Sequence, residues 1–186
     1  MESESPGACV PPEPEDGLQI DLVHRDSGWK AAGLDEALLA RALAAAFRAG
    51  GRCAAGEVAL ILGDDALARE LNAAWRGQDK PTNVLSFPAT AAGAELRGGG
   101  ALLGDIVLAR ETVTREAREL DLPLSHHAAH LAVHGLLHLL GYDHDDEEHA
   151  AEMEGLESRI LAGLGLHEPY GEPVAPGPEA LRTRPR

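Results

Sequence analysis

The sequence predicts an α+β (mixed α/β) domain, a small mixed sheet of about four strands packed with about five helices. Three observations carry that expectation. Short apolar segments show strand patterning, amphipathic segments between them end on glycine, and an almost unbroken helical run follows the last strand segment. The chain has 186 residues, 44% of them hydrophobic, enough for one domain with a sizeable core. Aromatic residues make up only 3%, so that core must be built from Leu, Val, Ile and Ala.

In chain order, Leu18, Ile20 and Leu22 alternate with polar neighbours and read as a strand. Residues 34–49 place Leu39, Leu43 and Phe47 at steps of four and end in Gly50 and Gly51, an amphipathic helix with a glycine stop. EVALIL at 57–62 is a short apolar strand; Gly63, Asp64 and Asp65 then turn the chain and can cap a helix running to about Trp75. TNVLSF at 82–87 is a third strand, stopped by Pro88. After a glycine-rich loop at 98–100, LLGDIVL at 102–108 is the fourth. Residues 111–120 are helical, Pro123 opens a helix to Leu140 in the C-terminal half, and Asp145 or Asp146 caps a last helix through about Leu161.

Residues 1–16 and 166–186 are rich in Pro, Gly and charge and read as flexible tails around a single domain at 17–165. A net charge of −15 argues against nucleic-acid binding by general electrostatics, but the acid is clustered near the N-terminus and at 145–148, which leaves room for a local basic cleft. Cys9 and Cys53 are far apart and suggest neither a disulfide framework nor a cysteine metal site. No apolar stretch is long enough to cross a bilayer, and the acidic, Pro-rich start is unlike a secretory signal, so a cytoplasmic protein is expected.

Seven of the nine histidines fall between positions 126 and 149. His134 and His138 are four apart, so on a helix they project from one face about one turn apart and can reach a single ion. Gly141 permits the left-handed turn that ends a helix and lets His144 fold back onto the same ion. Three neutral imidazoles leave a fourth tetrahedral position for water, the arrangement of catalytic rather than structural zinc, and water held there becomes a nucleophile near neutral pH. One zinc ion per chain on His134, His138 and His144 is therefore expected, although three imidazoles suit other first-row ions too. The leucines around them imply a buried helix, where imidazoles without partners would cost free energy.

The same spacing matches the metal-peptidase pattern HExxHxxGxxH at both helical histidines, the glycine and the last histidine. Gly135 stands where those enzymes carry their general-base Glu, which disfavours peptidase chemistry. His126 and His130 extend the i+4 row, either as contacts around the metal or to substrate, or as a partly exposed face. Asp143 either orients His144 or shapes the turn.

The segment LNAAWRGQDKPTNVLSFP at 71–88 puts Arg76 just before a strand, and a guanidinium suits a phosphate through paired hydrogen bonds. Together with HGLLHLLGYDH at 134–144, extended back to Ala129, and LGDIVL at 103–108, this segment resembles the YbeY family, bacterial endoribonucleases also described as rRNA maturation factors. The motifs occur in the family's order across about residues 18–165. One position departs: Asn83 stands where Asp is usual, and altered local geometry rather than lost activity is expected.

The resemblance implies a zinc-dependent, single-strand-specific endoribonuclease acting in small-subunit rRNA maturation and ribosome quality control, with Arg76 as the functional arginine. It implies ribosomal RNA and small-subunit proteins as partners, with a ribosome-assembly GTPase as a further one. Two other readings stay open: a zinc hydrolase of another substrate class, and a non-catalytic, zinc-stabilised assembly factor. Net acidity favours a partner protein over bare RNA as the main docking surface.

Overall fold

The short apolar segments become strands, and the segments read as amphipathic or helical become helices. In a computed structural model of the chain, residues 17–51, 54–89, 100–143 and 147–166 are described. In chain order the elements are β1 (Leu18–His24), α1 (Gly28–Ala31), α2 (Glu36–Gly50), β2 (Gly56–Gly63), α3 (Asp65–Arg76), β3 (Val84–Pro88), β4 (Ala101–Ala109), α4 (Arg110–Glu119), α5 (Leu124–Leu139) and α6 (Glu147–Gly163). One sheet runs β1-β2-β4-β3, with β1, β2 and β4 parallel and β3 antiparallel to β4 at the edge. The expected mixed four-stranded sheet is thus observed. Among the described residues the addition to the expected helices is the single turn α1, too short for periodicity to reveal. Its Trp29 is fully buried, and the indole Nε1 donates to the Gly63 carbonyl at 2.8 Å.

Alternation assigns the two faces of the sheet. Val58, Leu60 and Leu62 of β2 and Ile106 and Leu108 of β4 enter the main core with α2 and α5, whereas Ile61 and Val107 lie beside Leu71 and Trp75 of α3. Helices α2, α5 and α6 pack on one another. Asp35 and Asp64 cap α2 and α3, their carboxylates accepting from Leu38 N at 3.0 Å and Leu67 N at 2.8 Å. Strand β3 starts two residues after the expected position, because the Asn83 side chain accepts from Val84 N at 2.7 Å and ends the turn there. Pro88 is the last residue of the strand instead of following its end, which an edge strand tolerates.

Two glycines permit the close approaches on which the sheet depends. The β2–β4 register slips at Glu57/Val58, and Gly104 sits at φ 133°, where a side chain would run into the Phe87 carbonyl. Gly135, in the middle of α5, faces β3 and β4: a Cβ there would lie 2.9 Å from Ser86 Oγ and 3.0 Å from Ile106 Cγ2.

The stretches 1–16 and 167–186, both cysteines, Gly98, Gly99, His144, Asp145 and Asp146 lie outside the described residues. Leu166 packs into the core. No helix of the described residues is long and apolar enough to cross a membrane.

The fit at Gly135 is testable. Gly135→Ala should cost about 1 kcal/mol in urea unfolding, since overpacking of about 1–3 kcal/mol is partly offset by a helix-propensity gain of about 1 kcal/mol. Gly135→Glu, which restores the peptidase residue, should lose more than about 3 kcal/mol by burying a charge. A Glu variant as stable as the parent would show that α5 does not approach the sheet this closely.

Candidate functional site

His127, His130, His134 and His138 are three or four residues apart along α5 and so form one stripe on a helix that is otherwise almost entirely apolar. The His134 and His138 rings meet edge to face, with centroids 4.7 Å apart and their Nε2 atoms 3.2 Å apart. A tetrahedral zinc with Zn–N bonds of about 2.0–2.1 Å separates two ligand nitrogens by roughly 3.3 Å, so this pair fits a shared ion. His138 Nδ1 is 3.0 Å from the Tyr142 carbonyl, which can only accept; Nδ1 therefore carries the proton and the Nε2 lone pair faces His134. Among the described residues no group of three or more His, Cys, Asp or Glu is placed to hold an ion. His144, the expected third donor, lies outside them.

Behind His134 stands Glu157 of α6, fully buried, with Oε1 3.0 Å from His130 Nε2 and 3.6 Å from His134 Nδ1. Burial alone would raise its pKa, but the nearby His130 and His134 imidazoles outweigh burial and hold the carboxyl down at about 2. A carboxylate on the Nδ1 side of His134 favours a proton there and leaves Nε2 to face His138. Sequence reasoning missed Glu157. The available signal was its place among Met153, Leu156, Ile160 and Leu161, the buried stripe of α6, where a carboxylate needs a partner. His130, left open between a site contact and an exposed face, reaches Glu157.

Arg76 ends α3, where Gly77 at φ 67° turns the chain. Its side chain and those of Ser86, Pro88, His138, Tyr142 and Asp143 line one cleft of about 330 Å³. The structure thus brings together Arg76 and His138, which are far apart in sequence. Trp75, beside it, is exposed and tilts against Phe87 with centroids 5.8 Å apart.

Asn83 donates from Nδ2 to Glu116 Oε2 at 3.0 Å, and the same oxygen is 2.9 Å from Nε2 of the buried His127. An Asp at this position would set one carboxylate against another; the amide supplies a donor instead. The departure at Asn83 is thus taken up in a hydrogen-bonded chain joining the start of β3 to α4 and α5.

A model of the family described as endoribonuclease YbeY matches residues 31–165, more than half of the chain. A Bradyrhizobium diazoefficiens protein named Endoribonuclease YbeY is 52% identical over 147 residues, covering 77% of this chain and 80% of that protein. An Azorhizobium caulinodans protein of the same name is 49% identical over 161 residues, 84% of this chain and 99% of the other. The solution structure of TM1509 from Thermotoga maritima aligns with 83% of this chain and 100% of that one, at 23% sequence identity and a TM-score of 0.49. The family match and the identities to whole relatives agree with the motifs at 71–88 and 134–144: the chain belongs to the endoribonuclease YbeY family.

Proposed function

We propose that this chain is a zinc-dependent endoribonuclease specific for single strands, acting in maturation of small-subunit ribosomal RNA and in ribosome quality control. The observation that carries the reading is the His134–His138 pair, Nε2 atoms 3.2 Å apart, with Arg76 and His138 in one cleft. Family membership supplies the reaction class and RNA as the substrate. His134, His138 and His144 would hold the metal, and zinc bound there would supply positive charge to polarise a phosphate oxygen and acidify water.

The remaining roles belong to the chain itself. Arg76 holds the phosphate by paired hydrogen bonds and stabilises the charge that builds on it. The Tyr142 carbonyl and the Glu157 carboxylate set the protons of His138 and His134 on Nδ1. Gly135 packs against Ser86 and Ile106 and leaves no room for a peptidase Glu, which favours a phosphodiester over a peptide. A cytoplasmic location and the partners, namely ribosomal RNA, small-subunit proteins and a ribosome-assembly GTPase, belong to the same proposal. The net charge of −15 assigns docking mainly to protein contacts and RNA to a local cleft.

His138→Ala should lose zinc in metal analysis and leave ribosomal RNA ends unprocessed. Normal processing by zinc-free protein would falsify the catalytic metal. Arg76→Ala should retain zinc yet cleave a single-stranded oligoribonucleotide about 100-fold more slowly; cleavage at the parental rate would remove Arg76 from the mechanism. Glu157→Gln should weaken zinc affinity about 10–100-fold in a chelator competition, and unchanged affinity would leave Glu157 as a packing residue.

A further inference from the structure

Arg76 lines a second cleft as well as the one it shares with His138. This neighbour, of about 280 Å³, is also bordered by Lys80, Arg115, Gln78, Asn83 and Glu116. We infer that it is a second phosphate subsite, which holds the backbone of a single RNA strand beside the phosphate attacked at the histidines. The inference rests on the RNA reading above and extends it to a specific surface.

Charge carries the argument. In a chain with 31 acidic and 16 basic residues, three cations border one small cleft, and Lys80 is one of only two lysines. Arg76 and Lys80 make no side-chain ion pair among the described residues, and Arg115 reaches only Glu119 at 3.9 Å and Thr112 Oγ1 at 3.4 Å, all at the surface or near it. Two nearby acids already hold other partners. Asp79 accepts from Arg69 Nε at 2.6 Å and Nη2 at 2.8 Å, and that pairing depresses its pKa. Glu116 Oε2 faces Asn83 and His127. Arg76 and Lys80, with no side-chain ion pair among the described residues, and Arg115, held only by a long exposed contact to Glu119, present a site for an external anion.

Position selects the anion. Arg76 belongs to both clefts, so a ligand that fills both must carry anionic groups in series, as a nucleic-acid backbone does. Lys80 lies in the loop between α3 and β3, and Arg115 on α4. The subsite is therefore assembled by three elements around the entrance to β3. Neither Lys80 nor Arg115 borders the histidine cleft, so they hold the strand without touching the reacting phosphate.

Each phosphate contact on a single strand steepens the dependence of log K on log salt by roughly 0.7. Binding of a labelled single-stranded oligoribonucleotide would be read by anisotropy within the mixing time over a salt series. The double variant Lys80→Ala/Arg115→Gln should bind more weakly at low salt, with a slope shallower by roughly 1.4. In steady-state cleavage it should raise KM and leave kcat unchanged. Lys80→Arg should keep the parental slope, and Arg41→Ala, an exposed cation on α2 outside the cleft, should change neither quantity. A parental slope in the double variant overturns the subsite, and so does an equal loss in Arg41→Ala, which would reduce the effect to overall charge. If the parent chain neither binds nor cuts the strand, the RNA reading itself falls, a result distinct from failure of the subsite alone.

Discussion

Helix α5 has to bury most of its surface, and one close approach to the sheet sets the direction of everything else on it. That approach is at Gly135, against Ser86 and Ile106. At 3.6 residues per turn, His134 and His138 fall about 100° and about 60° to the same side of Gly135. Seating Gly135 on β3 and β4 therefore aims both imidazoles to one side, where Ser86 and the end of β3 form the neighbouring wall. Packing density and site geometry are one constraint here. A side chain at 135 would disturb the core and swing the imidazole pair with the same displacement.

Burying a helix with so many histidines requires partners, and the surrounding elements supply them. Glu116 of α4 meets His127, Glu157 of α6 meets His130 and approaches His134, and the Tyr142 carbonyl meets His138. Each imidazole is thereby given a defined proton position, which an isolated histidine in an apolar setting would lack. The acids on this face act as internal counterparts to the histidines, and Asp79 and Glu116 are hydrogen-bonded by Arg69 and by Asn83 and His127. A protein of net charge −15 can therefore present a cationic cleft without being a basic protein.

Most of the fold could be read along the chain because it follows from local rules. Alternation in LQIDLVH and the short apolar run EVALIL predicted β1 and β2, and Asp64 before its helix predicted a cap that the structure contains. Gly51 and Gly141, at φ 58° and 85°, end or follow helices where a left-handed residue was expected. The shortfalls also have local causes. The turn α1 is shorter than one period of any pattern, and the start of β3 was displaced by an Asn side chain that caps its first amide.

What the sequence determined by itself is whatever depends on separation along one element: the strand and helix order, and the one-turn spacing that brings His134 and His138 to a common side. What only the tertiary structure decided is which distant residues meet them. Arg76 shares a cleft with His138, Glu157 stands behind His134, and Asn83, Glu116 and His127 form one chain of contacts. No periodicity encodes these meetings. They follow from where β3 and α6 settle against α5, which close packing of the whole core decides rather than any local preference.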